Sequence, residues 1–277
     1  MSRIAERFAA VRARGEAALI PFIMAGDPDM GRTRALVLAA QEAGADLIEL
    51  GVPFSDPTAD GPVLQRSAQR ALVQNVSLPR VLELVHELRQ HALVVPVVLF
   101  GYYNPIFRYG PERFARDAAA VGVDGVLVVD LPPEEDAELR RHTDAAGIDI
   151  IHLLAPTSDA ARMRKVLGHA RGFVYYVSVT GVTGVRPIDP AEVRLMVEKV
   201  KRQTRLPVGV GFGISSPAQA AAVAEFADAV VVGSAIMRIV EERGGAADLV
   251  DQVADFIGRL KAATRRGQAP QSATGSL

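Results

Sequence analysis

Residues Gly125–Leu154 read GVLVVDLPPEEDAELRRHTDAAGIDIIHLL. An apolar, β-branched run (Gly125–Val129) is followed by a segment with proline in its first turn and polar residues at helical spacing (Pro133–Ala146). Gly147 stops it, and a second β-type run follows (Asp149–Leu154). Proline is tolerated at the start of a helix because its missing N–H would be unpaired there anyway. Strand, helix, strand in 30 residues is one βαβ unit, and the same pattern extends in both directions. The further apolar runs are Leu19–Met24, Asp46–Leu50, Pro96–Phe100, Phe173–Val177, Pro207–Val210 and Ala229–Val232, eight in all. Helical patterns between and after them span Thr33–Ala43, Pro62–Gln74, Pro79–His91, Pro111–Val121, Pro190–Gln203, Pro217–Phe226 and Asp248–Ala263. Several runs are apolar along nearly their whole length, as in a parallel sheet covered on both faces. Eight such units predict an α/β fold, a (β/α)8 TIM barrel, with Met1–Gly15 as an extra N-terminal helix. A doubly wound open sheet would want a dinucleotide fingerprint near the first strand, and none is there.

The chain has 277 residues, 49% of them hydrophobic, with a formal charge of −1, no cysteine and no tryptophan. That length suits one α/β barrel, and no linker divides it, so residues 1–263 are expected to form a single catalytic domain. Residues 264–277 (TRRGQAPQSATGSL) are polar with Gly, Pro and Ser, and are expected to be a disordered tail. Near-neutral charge gives no electrostatic reason to expect nucleic acid or an anionic membrane as partner. Absent cysteine removes disulfides, thiolate metal sites and cysteine nucleophiles. The apolar run Leu19–Ala25 is too short to span a bilayer, and the Arg-rich start also carries Glu6 and Glu16, unlike a transit peptide. The expected location is the cytoplasm.

In this barrel class the chemistry sits at the C-terminal ends of the strands. After the second strand comes LIELGVPFSDPTADGP, Leu47–Pro62. Glu49 lies between Ile48 and Leu50, so strand alternation points it away from both. One of those directions is the barrel interior, where a carboxylate is expensive unless paired or used. Asp60 follows on a loop rich in proline and glycine that can fold back over the barrel mouth. Together they would make a carboxylate pair for acid/base work. The plainer alternative, at even odds, has Glu49 paired with an arginine and Asp60 capping the next helix. After the seventh and eighth runs come Gly211-Phe212-Gly213 and Gly233-Ser234, each ahead of a helical segment. Close backbone approach and helix N-terminal N–H groups suit a phosphate there better than simple turns do. Ser178–Arg186 (SVTGVTGVR) is longer than a tight turn and reads as a lid with a further phosphate contact at Gly184.

Histidines 86, 91, 142 and 169 fall in or beside helical segments; His152 is in a strand and reads as structural. No His/Asp/Glu set has metal-ligand spacing, so no metal is expected. The four lysines (Lys165, Lys199, Lys201, Lys261) lie in helical segments, away from strand ends, which argues against Schiff-base chemistry. If this barrel breaks a carbon–carbon bond, carboxylate acid/base catalysis is what remains.

These residues resemble the tryptophan synthase alpha chain family. The likeness rests on Leu47–Pro62, on PFIMAGDP (Pro21–Pro28), SVTGVTG (Ser178–Gly184), GFGISSP (Gly211–Pro217) and GSAI (Gly233–Ile236), in order from about residue 4 to 260. It implies retro-aldol cleavage of indole-3-glycerol phosphate to indole and glyceraldehyde 3-phosphate. Glu49 would be the acid/base and Asp60 would hold the indole N–H. Phe22, Phe100, Tyr102, Thr183 and Phe212 would wall the pocket, with Tyr175 supporting the site near Glu49. Gly184, Gly213, Gly233 and Ser234 would hold the phosphate. The family implies no cofactor on this chain and a beta-chain partner carrying pyridoxal phosphate in an α2β2 complex, faced by Pro53, Asp56, Asn104 and Pro105. A free-standing lyase and a non-catalytic activator of a beta chain are the alternatives. Departures from the family pattern are Thr58, Asn75 in place of a usual glycine, and a lid continuing through Pro187 to Pro190.

Overall fold

The computed structural model describes residues 2–177, 190–211 and 213–267. The chain begins with α1 (Arg3–Ala13) and β1 (Ala18–Met24), then α2 (Met30–Glu42), β2 (Ile48–Gly51), α3 (Pro62–Val73) and α4 (Leu78–Gln90). It continues through β3 (Val97–Gly101), α5 (Tyr103–Tyr109), α6 (Pro111–Val121), β4 (Gly125–Val128), α7 (Ala137–Ala146) and β5 (Asp149–Leu154). The last third holds α8 (Ala160–His169), β6 (Val174–Val177), α9 (Pro190–Lys201), β7 (Val208–Gly211), α10 (Pro217–Ala224), β8 (Ala229–Val232), α11 (Ser234–Arg243) and α12 (Leu249–Ala263). All strands are parallel and close in sequence order into the predicted eight-stranded barrel. The short helix α5 is absent from the sequence reading: it has seven residues, with Pro105 at its third position.

Register decides which side chains enter the barrel. Phe22 pairs with Glu49, which pairs with Val98, and Tyr175 pairs with Leu153 and Gly209. Residues paired across parallel strands share a face, so Glu49 points inward with Phe22 and Tyr175, all three lining one cavity. Ile48 and Leu50 face the helices and are fully buried, which explains why β2 looked apolar on both faces.

At the opposite, N-terminal end, α1 packs beneath the barrel. Phe8 stacks at a tilt on Phe173, ring centres 5.5 Å apart, and Ile4 is fully buried. Three aspartates, Asp46 and Asp124 buried and Asp228 half-buried, tie the strand starts together there. Asp46, just before β2, accepts a hydrogen bond from the Leu19 N–H of β1; Asp124, before β4, from Val97 of β3; Asp228, before β8, from Val208 of β7. Each also holds cations: Lys261 and Arg14 on Asp46, Arg3 and Arg89 on Asp124, Lys201 on Asp228.

The expected tail is not uniform. Thr264 is fully buried, and its carbonyl accepts from the Ala17 N–H. Arg266 donates to the carbonyls of Ala224 and Ala227. Residues 264–267 are thus packed against the barrel, because their polar side chains find backbone acceptors; the remainder lies outside the described residues. Asn75 has a φ of +55°, a left-handed conformation that asparagine tolerates better than most residues.

Candidate active site

A cavity opens at the C-terminal end of the barrel between Phe22, Glu49, Phe100, Tyr175, Gly213 and Gly233, with Ser234 at its edge. Its aromatic wall is a T-shaped pair: Phe22 and Phe100 lie 5.2 Å apart at 81°. Glu49 is 1% exposed, and its Oε1 is a buried side-chain oxygen with no hydrogen-bond partner among the described residues. Burial alone pushes its carboxyl up to about 8. The arginine partner that the plainer reading offered it does not appear among its described ion pairs or hydrogen bonds.

Asp60 sits on the loop between β2 and α3, nearly buried. Burial pushes its carboxyl up to about 6, against a hydrogen bond with Tyr102 that lowers it. Tyr102 also accepts from the Ala59 N–H at 3.0 Å, and its ring packs on Phe54, centres 5.2 Å apart. Tyr102 therefore secures the loop that carries Asp60; it lines a separate small pocket with Val52, Leu99 and Ile106 and not the cavity of Glu49. The helix after Asp60 starts at Gly61 with no side-chain cap, so Asp60 is not the N-cap that the plainer reading suggested. The charges of Glu49 and Asp60 both raise the pKa of the buried Tyr175 phenol, behind the effect of burial itself. The three groups thus share one electrostatic neighbourhood.

Gly233 precedes α11 as its N-cap and Ser234 is its first residue. The free N–H groups of this ten-residue helix therefore open at the rim of the cavity that Glu49 lines, opposite Gly213, which has a φ of +81°. Leu64, Ile214 and Val231 complete the lining, and none was singled out in the sequence. Leu64 could have been found as the inward position one turn into an amphipathic helix that starts beside Asp60. Thr183, Gly184 and Phe212, with the remaining lid residues through Pro187, lie outside the described residues.

Pro53 is buried within the chain, whereas Asp56 and Asn104 are exposed and Pro105 is half-buried. Thr58 is exposed on the same loop as Asp56, so it adds nothing to the packing of the core. None of the four lysines lines the cavity; Lys201 and Lys261 serve the aspartates at the other end.

A larger cavity, about 220 Å³ against about 40 Å³, lies at the ends of β4 and β5. Its ionisable lining groups are Asp130, His152 and Arg162, and the last two are already engaged, by Asp136 and Glu134. The smaller cavity, unlike the larger, is lined by a buried carboxylate whose Oε1 has no partner among the described residues. Asp136, His152 and His169 bring ligand-type atoms within 4.8 Å of one another, a cluster the sequence spacing did not reveal. His152 Nε2 lies 2.9 Å from Asp136, His169 Nδ1 3.2 Å, and Arg140 3.3 Å. The cation of Arg140 on the same carboxylate opposes a metal dication there, and the set reads as a buried hydrogen-bond network holding α7 and α8 on β5. His152 has the structural role expected of it.

Comparisons with known proteins agree over nearly the whole chain. The family profile for the tryptophan synthase alpha chain matches residues 8–265. A tryptophan synthase alpha chain from Geobacter sp. (strain M21) is 54% identical over 267 residues, 96% of this chain and 99% of the relative. Its counterpart in Geobacter sulfurreducens is 55% identical over 263 residues, 95% of this chain and 99% of the relative. Among solved structures, tryptophan synthase subunit alpha from Legionella pneumophila str. Paris superposes with a TM-score of 0.88 at 38% identity, covering 95% of this chain and 98% of that one. A chain of Mycobacterium tuberculosis tryptophan synthase superposes with a TM-score of 0.87 at 37% identity, covering 96% and 99%. With an eight-stranded barrel, a buried glutamate at its mouth and this agreement along the sequence, the chain belongs to the tryptophan synthase alpha chain family.

Proposed function

We propose that this chain is the lyase that cleaves indole-3-glycerol phosphate to indole and glyceraldehyde 3-phosphate, with Glu49 and Asp60 as its two catalytic carboxylates. The observation that carries the assignment of roles is the pair of unequal environments. Glu49, pushed up to about 8, is neutral near pH 7, whereas Asp60, at about 6, is mostly ionised. Two carboxyls with separated pKa values give one acid and one anion in the same site. Glu49 starts as the acid and delivers its proton to the indole ring carbon that bears the glycerol side chain. Asp60 accepts the indole N–H and stabilises the positive charge that this protonation places on the ring. The Glu49 carboxylate then takes the proton from the neighbouring substrate hydroxyl as the carbon–carbon bond breaks. Glu49 ends protonated as it began, so the cycle needs no outside proton.

Phe22 and Phe100 form the apolar wall for the indole, with Thr183 and Phe212 as further members; Tyr102 secures the Asp60 loop, and Tyr175 supports Glu49. Gly213, Gly233 and Ser234, together with Gly184, take the phosphate at the N-terminus of α11, where free N–H groups and the helix dipole favour an anion. The chain forms a single barrel domain and needs no cofactor of its own. Its partner is a tryptophan synthase beta chain carrying pyridoxal phosphate, in an α2β2 complex that receives indole over the exposed loop of Asp56 and the start of α5 at Asn104 and Pro105. No helix among the described residues is long and apolar enough to cross a membrane, in keeping with a cytoplasmic enzyme. The test is an indole-release assay with and without a beta chain. Glu49→Gln abolishes release while inorganic phosphate still binds, and adding a beta chain raises wild-type turnover severalfold. Near-normal turnover in Glu49→Gln refutes the mechanism, and full activity without any response to a beta chain points to a free-standing lyase.

A further inference from the structure

Four charged side chains form a continuous ladder behind the site. Asp27, on the loop after β1, is fully buried and accepts two hydrogen bonds from Arg70 of α3, from Nε at 2.8 Å and Nη2 at 2.7 Å, and one from the Ser67 hydroxyl. The remaining nitrogen of Arg70, Nη1, donates to Glu241 of α11 at 3.0 Å. Glu241 also receives both Nε and Nη2 of Arg66, at 2.6 and 2.8 Å. Arg70 thus spends its planar fork on one carboxylate and its third nitrogen on another, a geometry lysine cannot reproduce.

The three elements so joined each bear part of the site. Phe22 is on β1, five residues before Asp27. Asp60 is on the loop that enters α3, two residues before its first, and Leu64 is in its first turn, within two turns of Arg66 and Arg70. Gly233 and Ser234 begin α11, two turns before Glu241. We infer that Arg70 is a positioning residue: by joining Asp27 and Glu241 it fixes the separation between the carboxylate end of the site, where the Asp60 loop enters α3, and the phosphate end on α11. The inference rests on the functional reading above, which places the indole N–H at Asp60 and the phosphate at α11. A substrate held at both ends presents its ring carbon to Glu49 only if those ends keep their distance, and a displacement near 1 Å in such a site lowers rates on the order of a hundredfold. Each half-site, taken alone, needs no such constraint.

The test compares Arg70→Met, Arg70→Lys and Glu241→Gln with wild type in the assembled enzyme. The measurements are kcat and KM for indole-3-glycerol phosphate, the inhibition constant of inorganic phosphate, and the thermal midpoint. Arg70→Met is expected to lose at least tenfold in kcat with phosphate inhibition within twofold of wild type, and Arg70→Lys to recover part of that loss. Glu241→Gln, which frees only α11, loses about threefold in kcat and serves alone if Arg70→Met does not fold. Lys261→Met, at the other end of the barrel, controls for destabilisation: its thermal midpoint falls and its kcat does not. A folded Arg70→Met with kcat within twofold of wild type overturns the inference, as does an equal kcat loss in Lys261→Met. If the wild-type enzyme itself releases no indole, the functional reading fails instead.

Discussion

Glu49→Gln should make the protein more stable as the pH rises, while abolishing its activity. The acid form of Glu49 tolerates its buried position; the carboxylate does not. Its pKa stands at about 8 in the folded chain against 4.5 for an exposed glutamate. At about 1.36 kcal/mol per unit, ionising it in place disfavours the folded state by about 5 kcal/mol. The sign follows from which state lets go of the proton first. The unfolded chain releases it near pH 4.5 and the folded chain only near 8, so this part of the stability is fully present below 4.5 and is lost as the pH climbs to 8. About 4 kcal/mol of the loss falls between pH 5 and 9. Glutamine has nearly the shape of the neutral acid and never ionises, so the variant lacks this slope. Asp60 has its own raised pKa, but it is present in both proteins and cancels in the difference, as does any fixed offset from exchanging acid for amide. Urea unfolding at pH 5, 7 and 9 should therefore show the gap between Glu49→Gln and wild type widening by about 4 kcal/mol, equivalent to about 10 °C in thermal midpoint for a chain of this size. A gap that changes by less than about 1 kcal/mol would mean that Glu49 ionises as readily inside as outside. The acid-first mechanism would then have no basis.

Three further outcomes follow from the same geometry. The pH profile of kcat/KM should be bell-shaped, rising as Asp60 ionises near 6 and falling as Glu49 loses its proton near 8; Asp60→Asn should flatten the acid limb and leave at most a few per cent of the activity. Gly211→Ala places a methyl group against the Tyr175 ring, with Cε1 2.7 Å away, so it should destabilise by about 1–3 kcal/mol and disable the site; thermal melts should show Gly211→Ala/Tyr175→Leu more stable than Gly211→Ala alone. Lys261→Met removes the ammonium that reaches Glu16 at 2.8 Å and the buried Asp46 at 2.7 Å. Urea titration should show a loss of about 3 kcal/mol with indole release per folded molecule unchanged.

The strands were legible because a parallel barrel leaves no strand a solvated face: predicted Leu19–Met24 and observed Ala18–Met24, or predicted and observed Asp149–Leu154, differ by a residue at most. Glu49 was legible for the converse reason, a charge inside such a run, though spacing alone left an arginine partner equally open until register and burial placed it in the cavity. Other features were hidden by distance along the chain. Asp136 reads as one acid among several in PPEED; its partners are 16 and 33 residues away, and only barrel closure brings β5 and α8 to it. Arg265 and Arg266 looked like a solvated tail because composition cannot show that one guanidinium will reach Glu16 and the other the carbonyls of Ala224 and Ala227. The short helix α5 has too few residues for periodicity to register.

Glu49 is treated differently from the other buried acids of the barrel, and this separates stability from chemistry. At the N-terminal end the device was written in the sequence as a recurring triplet, Gly44-Ala-Asp46, Gly122-Val-Asp124 and Gly147-Ile-Asp149, with Phe226-Ala-Asp228 as a variant. In three of the four, the aspartate accepts from the N–H of the preceding strand and holds one or more cations, so its charge is compensated more than once. Asp149 takes the Ser2 hydroxyl instead. At the C-terminal end Glu49 has neither cation nor N–H among its described contacts, and burial alone sets its proton affinity. Supplying Glu49 with the kind of partner that Asp46 has would lower its pKa and stabilise the fold, and would also remove the acid from which the proposed reaction starts. That no lysine lines this cavity among the described residues agrees with the proposed role, because a cation beside Glu49 would hold it ionised at the start of the reaction.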